Sequence, residues 1–195
     1  PFVLVVDQSA GDCSIALGLA GPSCFQQMLR EALRDHPDCT VVVKVHPDVI
    51  RGRARGHFRR RDLQHPRIHL CADGLHPAAL LEQARAVYVV TSQMGFEALL
   101  WGKPVHCFGM PFYAGWGLTR DRLPAPARRR AGVALEALVH AALVAGTRCV
   151  DPHRHRRCSI EELMQAIGLQ RQLQRNTPAR VEAFGFTPWK QKSLR

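Results

Sequence analysis

Two carboxylates, Asp7 and Asp12, share one short polar stretch, V-V-D-Q-S-A-G-D-C-S, directly after the apolar run Phe2–Val6. Carboxylates so placed are either helix caps and turn formers or a nucleophile or acid–base pair. A second group, Lys44 and His46, closes the apolar run Thr40–Val45 in K-V-H-P-D. An ammonium and an imidazole in that position suit a phosphate or a carboxylate. A lysine on a rim and a histidine in a proline turn have the same spelling. The third group lies in Val89–Thr119, where Thr91, Ser92, Gln93 and Gly95 form a polar turn and Phe96–Trp101 has helical composition. A turn feeding a helix N-terminus offers backbone N–H groups and the positive end of the dipole to an anion. Ser92 adds a hydroxyl, and Glu97 sits one turn further in, where it could hold a ribose hydroxyl. Beyond it, Gly109–Asp121 carries Met110, Pro111, Phe112, Tyr113 and Trp116. Aromatic rings there either stack on a base or sugar or pack into the core.

The elements that must position these groups alternate. Phe2–Val6, Thr40–Val45, Arg67–Leu70, Ala86–Val90 and Val105–Phe108 read as short buried strands. Between them, Cys24–Asp35 has helical periodicity in Phe25, Met28, Leu29, Ala32 and Leu33, and Pro77–Gln83 reads as a shorter helix. Strand–helix–strand alternation over Phe2–Phe108 predicts an α/β fold, a parallel sheet with helices on both faces. Ligands of such sheets bind at the carboxyl edge of the strands, where all the groups above are expected to arrive. Ile50–Gln64 reads as a basic, irregular surface excursion. Residues 1–124 are expected to form the binding core, with 125–195 a linker and C-terminal helices packing on the same domain. Those helices are Val133–Ala145, Ile160–Ile167 opened by a Ser159/Glu162 capping box, and a separate Leu169–Arg175. The tail with Phe184, Phe186 and Trp189 lacks clear periodicity.

The 195 residues are 46% hydrophobic, enough for one packed core. No apolar run approaches the roughly 20 residues of a membrane span, and no signal peptide is evident. Opening on Pro1 and running at once into a strand reads as a cut inside a larger protein. The net charge of +11 gathers in Arg51–Arg61, Arg128–Arg130 and Arg154–Arg157. Such a balance suits an anionic membrane surface or an acidic substrate; the absence of interleaved aromatics and of recognised motifs argues against nucleic acid. Seven cysteines without a C-x-x-C suit reduced thiols in a cytoplasmic protein. Cys149, His153, His155 and Cys158 fit no common zinc template, and the arginines between them would repel a cation.

Four stretches in order, V-V-D-Q-S-A-G-D-C-S, K-V-H-P-D, V-V-T-S-Q-M-G-F-E-A-L-L-W-G-K-P-V and C-F-G-M-P-F-Y-A-G-W-G-L-T, resemble the capsule polysaccharide β-Kdo transferases of Gram-negative bacteria, the KpsC/LipB type. The resemblance runs from about Val3 to Trp189 and is loosest over Ile50–Leu70 and Ala125–Arg157. It implies the C-terminal, donor-binding half of one GT-B glycosyltransferase module, with Rossmann-like topology. The D-Q-S-x-G-D form looks more like the N-terminal of the two modules, which is associated with β-2,4 linkage. Acceptor choice in the family belongs to the other half, which this chain lacks.

The resemblance further implies CMP-β-Kdo as donor, a lyso-phospholipid-linked Kdo acceptor and retention of configuration. Asp12 matches the family's proposed nucleophile, and Ser9 stands where threonine is usual. A carboxylate attacking the anomeric carbon and then being displaced by the acceptor gives two inversions, hence retention. Asp12 must then be ionised, which positive charge on Lys44 and His46 would favour. Lys44, His46, Ser92, Gln93 and the Gly95 turn would hold the phosphate or the Kdo carboxylate, Glu97 the ribose, and Tyr113 and Trp116 would shape the cleft. No cofactor and no metal are expected, since side chains supply the positive charge and the D-x-D metal motif is absent. The chain alone is expected to bind donor without transferring sugar, in a cytoplasmic enzyme peripheral to the inner membrane. Two alternatives keep the same residues: another GT-B or UDP-sugar enzyme half, and a non-catalytic anion- or membrane-binding α/β module.

Overall fold

Alternation along the first strand divides the core. In β1 (Phe2–Val6), Val3 and Val5 face one side of the sheet and Leu4 and Val6 the other, and all four are buried. This computed structural model describes residues 1–71, 77–129, 132–151 and 153–176. Beside β1 run β2 (Thr40–Lys44), β3 (Ile68–Cys71), β4 (Val87–Val89), β5 (Val105–Cys107) and β6 (Arg120–Asp121). Their order is β3-β2-β1-β4-β5-β6, and every pairing is parallel. That is the doubly wound order of dinucleotide-binding sheets, in which the strand order reverses between β1 and β4 and opens a crevice at their carboxyl ends.

Helices cover both faces, as the alternation predicts. On the Val3/Val5 side lies α2 (Pro22–Asp35), with Pro22 in its first turn, where a missing N–H costs nothing. Its buried stripe Phe25, Met28, Leu29 and Ala32 follows the helical repeat. Burying each of the three larger side chains contributes roughly 1.5–3 kcal/mol, which seats α2 on the sheet. The same core takes Ile15 of α1 (Cys13–Leu17). On the Leu4/Val6 side, α4 (Pro77–Gln83) brings Leu80 and Leu81, and α5 (Met94–Leu100) brings Phe96, Ala98 and Leu99. Under the sheet, buried His106 stacks on Tyr88 at 4.2 Å, and burial pushes its pKa down to about 4.

Several elements differ from the sequence expectation. The polar stretch after β1 is not loop throughout, because Asp12 caps the short α1. The sixth strand, β6, lies inside the expected aromatic loop; two charged residues carry no periodicity to betray it. Asp121 is fixed there by accepting from Gly115 N at 2.8 Å and Thr119 Oγ1 at 2.6 Å. A helical turn, α3 (Pro47–Ile50), leads into the basic excursion, which contains a 3₁₀ turn, Arg60–Leu63, and whose Phe58 packs against the core. It is docked, not free.

The chain divides into two compact units, Pro1–Val139 and from His140 onward. In the first, α6 (Leu135–Val139) buries Leu138, and Arg129 of the expected linker donates to the carbonyls of Pro111 and Ala114. In the second, His140–Ala145 is π-helical where an amphipathic α-helix was expected, closed by Gly146 N to Ala141 O and Thr147 Oγ1 to Ala142 O. Strands β7 (Cys149–Val150) and β8 (Arg157–Cys158) pair antiparallel with Cys149 opposite Cys158. The Ser159/Glu162 capping box forms reciprocally, at 2.9 and 3.2 Å. The helix it opens, α7 (Ile160–Asn176), is continuous where two were expected. One exposed glycine, Gly168, costs about 1 kcal/mol against alanine and does not break a helix of that length. Phe184, Phe186 and Trp189 lie outside the described residues.

Candidate functional site

The crevice between β1 and β4 is occupied by one buried amide. Gln8, just past β1 and 4% exposed, donates through Nε2 to Thr91 Oγ1 at 3.0 Å, to Asp12 Oδ2 at 3.0 Å and toward Ser14 Oγ at 3.3 Å. Its Oε1 accepts the backbone N–H of Thr91 at 3.0 Å. Thr91, just past β4, is 7% exposed and its hydroxyl also meets Ser14 Oγ at 3.0 Å. Gln8 therefore ties together the ends of two strands distant in sequence and the loop that carries Asp12.

Asp12 is the N-cap of α1, with Oδ1 accepting from Ser14 N at 2.9 Å. Burial is the largest single influence on its carboxyl and acts upward, but the hydrogen bonds from Ser14 and Gln8 together hold the pKa below the ordinary carboxylate value. Both readings of this residue are thus realised in one geometry, a helix cap that is also an ionised carboxylate facing a cavity. Asp7 behaves oppositely. It is 4% exposed, and burial pushes its pKa up despite hydrogen bonds to Oδ1 from His57 N at 3.1 Å and Gln8 N at 2.9 Å.

Around Asp12 opens a cleft of about 680 Å³. Of the sequence-predicted site residues, Asp12, Lys44, His46, Ser92, Gln93 and Glu97 all line it. Lys44 ends β2, and its ammonium has no hydrogen-bond or ion-pair partner among the described residues. His46 accepts the Asp48 backbone N–H at Nδ1, at 3.2 Å, and Ser9 Oγ meets the same nitrogen at 3.2 Å. With Nδ1 accepting, the ring N–H is on Nε2. His46 thus offers an N–H donor to the cleft beside the Lys44 ammonium.

At the Thr91–Gly95 turn the backbone offers less than its sequence suggests. Met94 N is taken by Ser92 Oγ at 3.3 Å and Gly95 N by Ser92 O at 3.0 Å. What remains for a ligand is the backbone N–H groups of Ser92 and Gln93, which have no partner among the described residues, the Ser92 hydroxyl hydrogen and the Gln93 carboxamide. Gly95 does not line the cleft; a Cβ there would collide with the Tyr113 ring, so its place is set by packing.

Tyr113 and Trp116, expected to shape the cleft, are not in its lining. Tyr113 is fully buried, and its hydroxyl donates to the Ser92 carbonyl, bracing the turn from beneath. Trp116 packs against the core, donates its indole N–H to Phe112 O at 2.8 Å and lies under the Arg129 guanidinium. The aromatic that lines the cleft is Phe112, 46% exposed. Sequence reasoning placed Gln8, Ser14 and Thr91 inside the polar stretches at the strand ends but gave them no role in the site. Among the described residues, no group of three or more His, Cys, Asp or Glu side chains could hold a metal ion, and no helix is long and apolar enough to cross a membrane.

Comparison with known proteins places this geometry. Residues 1–148 match the family of capsule polysaccharide biosynthesis proteins. The chain is 37% identical over 193 residues to the capsule polysaccharide modification protein LipA of Neisseria meningitidis serogroup B, covering 96% of this chain and 27% of LipA. Among solved structures it is similar to the KpsC β-Kdo 2,4 transferase of Thermosulfurimonas dismutans, with TM-score 0.78 and 42% identity over 84% of this chain and 50% of that one. The β-Kdo 2,7 transferase of the same KpsC aligns with TM-score 0.69 and 31% identity, over 87% and 53%. The chain spans about a quarter of the curated relative and about half of each solved chain.

Proposed function

The chain belongs to the capsule polysaccharide biosynthesis protein family, and on that premise we propose that it is the donor-binding half of a retaining β-Kdo transferase using CMP-β-Kdo. The observation that carries the proposal is Asp12, a carboxylate kept ionised by Ser14 and Gln8 while facing a cleft that also holds the Lys44 ammonium and the hydrogen-bond donors His46, Ser92 and Gln93.

In the first step the Asp12 carboxylate attacks the anomeric carbon, forming a glycosyl ester as the bond to the CMP phosphate oxygen breaks. The departing phosphate is received by Lys44, with the Ser92 hydroxyl, the Gln93 carboxamide and the His46 Nε2–H as donors. These groups are in place beforehand, which is how electrostatic stabilisation lowers a barrier. Glu97 takes a ribose hydroxyl, and Phe112 covers the apolar side. In the second step an acceptor hydroxyl attacks the same carbon, Asp12 leaves as carboxylate, and the acceptor's proton passes to a base outside this chain. Two inversions retain the configuration. The acceptor in this reading is a Kdo-bearing lyso-phospholipid at an anionic inner-membrane surface. The greater likeness to the 2,4 than to the 2,7 transferase favours the former linkage.

Intact-mass measurement tests the reading. The complete module, incubated with fresh CMP-Kdo and no acceptor, is expected to gain one Kdo, in EDTA as well as without it, and Asp12→Ala is expected to gain none. An adduct persisting in Asp12→Ala would move the nucleophile elsewhere. Displacement of bound donor by UMP but not by CMP would favour a UDP-sugar enzyme instead.

A further inference from the structure

The loop between β1 and α1 contributes to two cavities. Asp7, Gln8 and Asp12 line the cleft, while Ala10 and Gly11 line a second space of about 490 Å³. Its other wall is the basic excursion, held by two hydrogen bonds to the loop and one to α2. Ala10 N donates to Arg55 O at 2.6 Å, His57 N to Asp7 Oδ1 at 3.1 Å, and Gln26 Nε2 of α2 to His57 O at 2.9 Å. The His57 ring stacks on Phe25 at 3.8 Å, and Gly56 lies so close to Asp7 that a Cβ would strike the carboxylate. These walls are built, not draped.

The groups facing the space are unbalanced in charge. Its one carboxylate, Asp62, already accepts from Arg59 N at 2.8 Å, and Arg61 Nε stands 3.8 Å from it, beyond hydrogen-bond distance. The Arg59 guanidinium has no ion-pair partner among the described residues. His57 Nε2 is buried and makes no hydrogen bond. An unmet buried nitrogen costs free energy that a ligand can recover, and guanidinium groups are matched to planar or tetrahedral oxyanions. We propose that this cavity is a second anion site, taking a phosphoryl or carboxylate group on Arg59, Arg61 and His57, separate from the donor cleft. It stands on these residues alone, whatever nucleotide sugar the cleft binds. Because Ala10 and Gly11 share its wall, an anion bound there braces the loop that positions Asp12.

The test is an NMR titration of the isotope-labelled chain at constant ionic strength, with inorganic phosphate in one arm and free Kdo, a sugar carboxylate, in the other. Signals of Gly11, Gly56 and the His57 ring are expected to shift saturably with at least one anion, and equally in Lys44→Ala, which disables the cleft. Arg59→Gln/Arg61→Gln changes exposed side chains, Arg61 being 72% exposed, so the fold is expected to persist. It should weaken that binding by about tenfold or more. The tighter anion identifies the group. Shifts confined to Ser92 and Gln93, shifts that do not saturate, or shifts unchanged in the double variant would each overturn the proposal.

Discussion

The loop after β1 carries one carboxylate at its base and one at its tip, and their surroundings drive them in opposite directions. Asp7 at the base is almost wholly buried, and desolvation outweighs its two backbone donors, so its pKa rises. Asp12 at the tip is open to solvent on one side, and hydrogen bonds from Ser14 and Gln8 together outweigh burial, so its pKa falls. Residue type and sequence neighbourhood are shared; what differs is how much water is lost against how many donors are gained. Divergent environments of this kind are how one site assigns different roles to two carboxylates. Asp12 is equipped to attack as an anion, and Asp7 to hold the wall formed by His57.

The comparison is broken most directly at the tip. Asp12→Asn keeps an oxygen to accept from Ser14 N, so α1 stays capped, but it cannot form a glycosyl ester. Sugar transfer by the complete module is expected to fall by on the order of 10³-fold or more, with CMP affinity retained. An equal loss from Asp7→Asn with intact folding would mean that the two carboxylates act as a pair.

A second break falls on the residue that separates the two environments. Gln8→Ala leaves the buried Thr91 N–H without its acceptor and Asp12 without its Oδ2 donor. Thermal or denaturant unfolding is expected to show a loss of about 1–3 kcal/mol. With one stabilising hydrogen bond gone, the Asp12 pKa moves up, and the acid limb of the module's pH–rate profile should shift to higher pH. Gln8→Glu restores an acceptor to Thr91 but sets a carboxylate beside Asp12, so it should recover stability while moving the acid limb further. A stability loss without any shift of the profile would make Gln8 a packing residue only.

What the sequence disclosed follows the reach of its signals. Parallel strands buried on both faces read as valine-rich runs, and α2 as a clear apolar stripe, so the sheet and the clustering of Asp12, Lys44, His46, Ser92, Gln93 and Glu97 at one edge were legible. The Gln8–Thr91 contact was not, because it joins residues far apart in sequence and depends on strand order. The aromatic loop was misread: Phe112 lines the cleft, Tyr113 is buried beneath Gly95 and Trp116 packs against the core, a choice set by the local turn and the space beneath it. The His46 tautomer was equally out of reach, since the Asp48 N–H that fixes it is a backbone group.

The smallest expected effect concerns the base of the loop, where the sign discriminates. The pKa of Asp7 in the folded chain lies above its unfolded value, so the folded state holds that proton more tightly. The stability this group contributes is complete below the unfolded value and is lost as pH rises through the folded one. At neutral pH its ionised form is a net cost. Asp7→Asn keeps an oxygen for Gln8 N and His57 N and removes the buried charge. It should melt at or above the wild-type temperature at neutral pH, the difference staying within about 1 kcal/mol and closing as pH falls towards about 4. Asp12 has the opposite dependence, since its lowered pKa gives stability that is present above the unfolded value and lost as pH falls through the folded one. If Asp7→Asn instead lowered the melting temperature at neutral pH, with a gap widening as pH rose, the buried carboxylate would be stabilised as an anion. Base and tip would then be alike in kind, and the distinction between a structural and a reactive carboxylate would lose its physical ground.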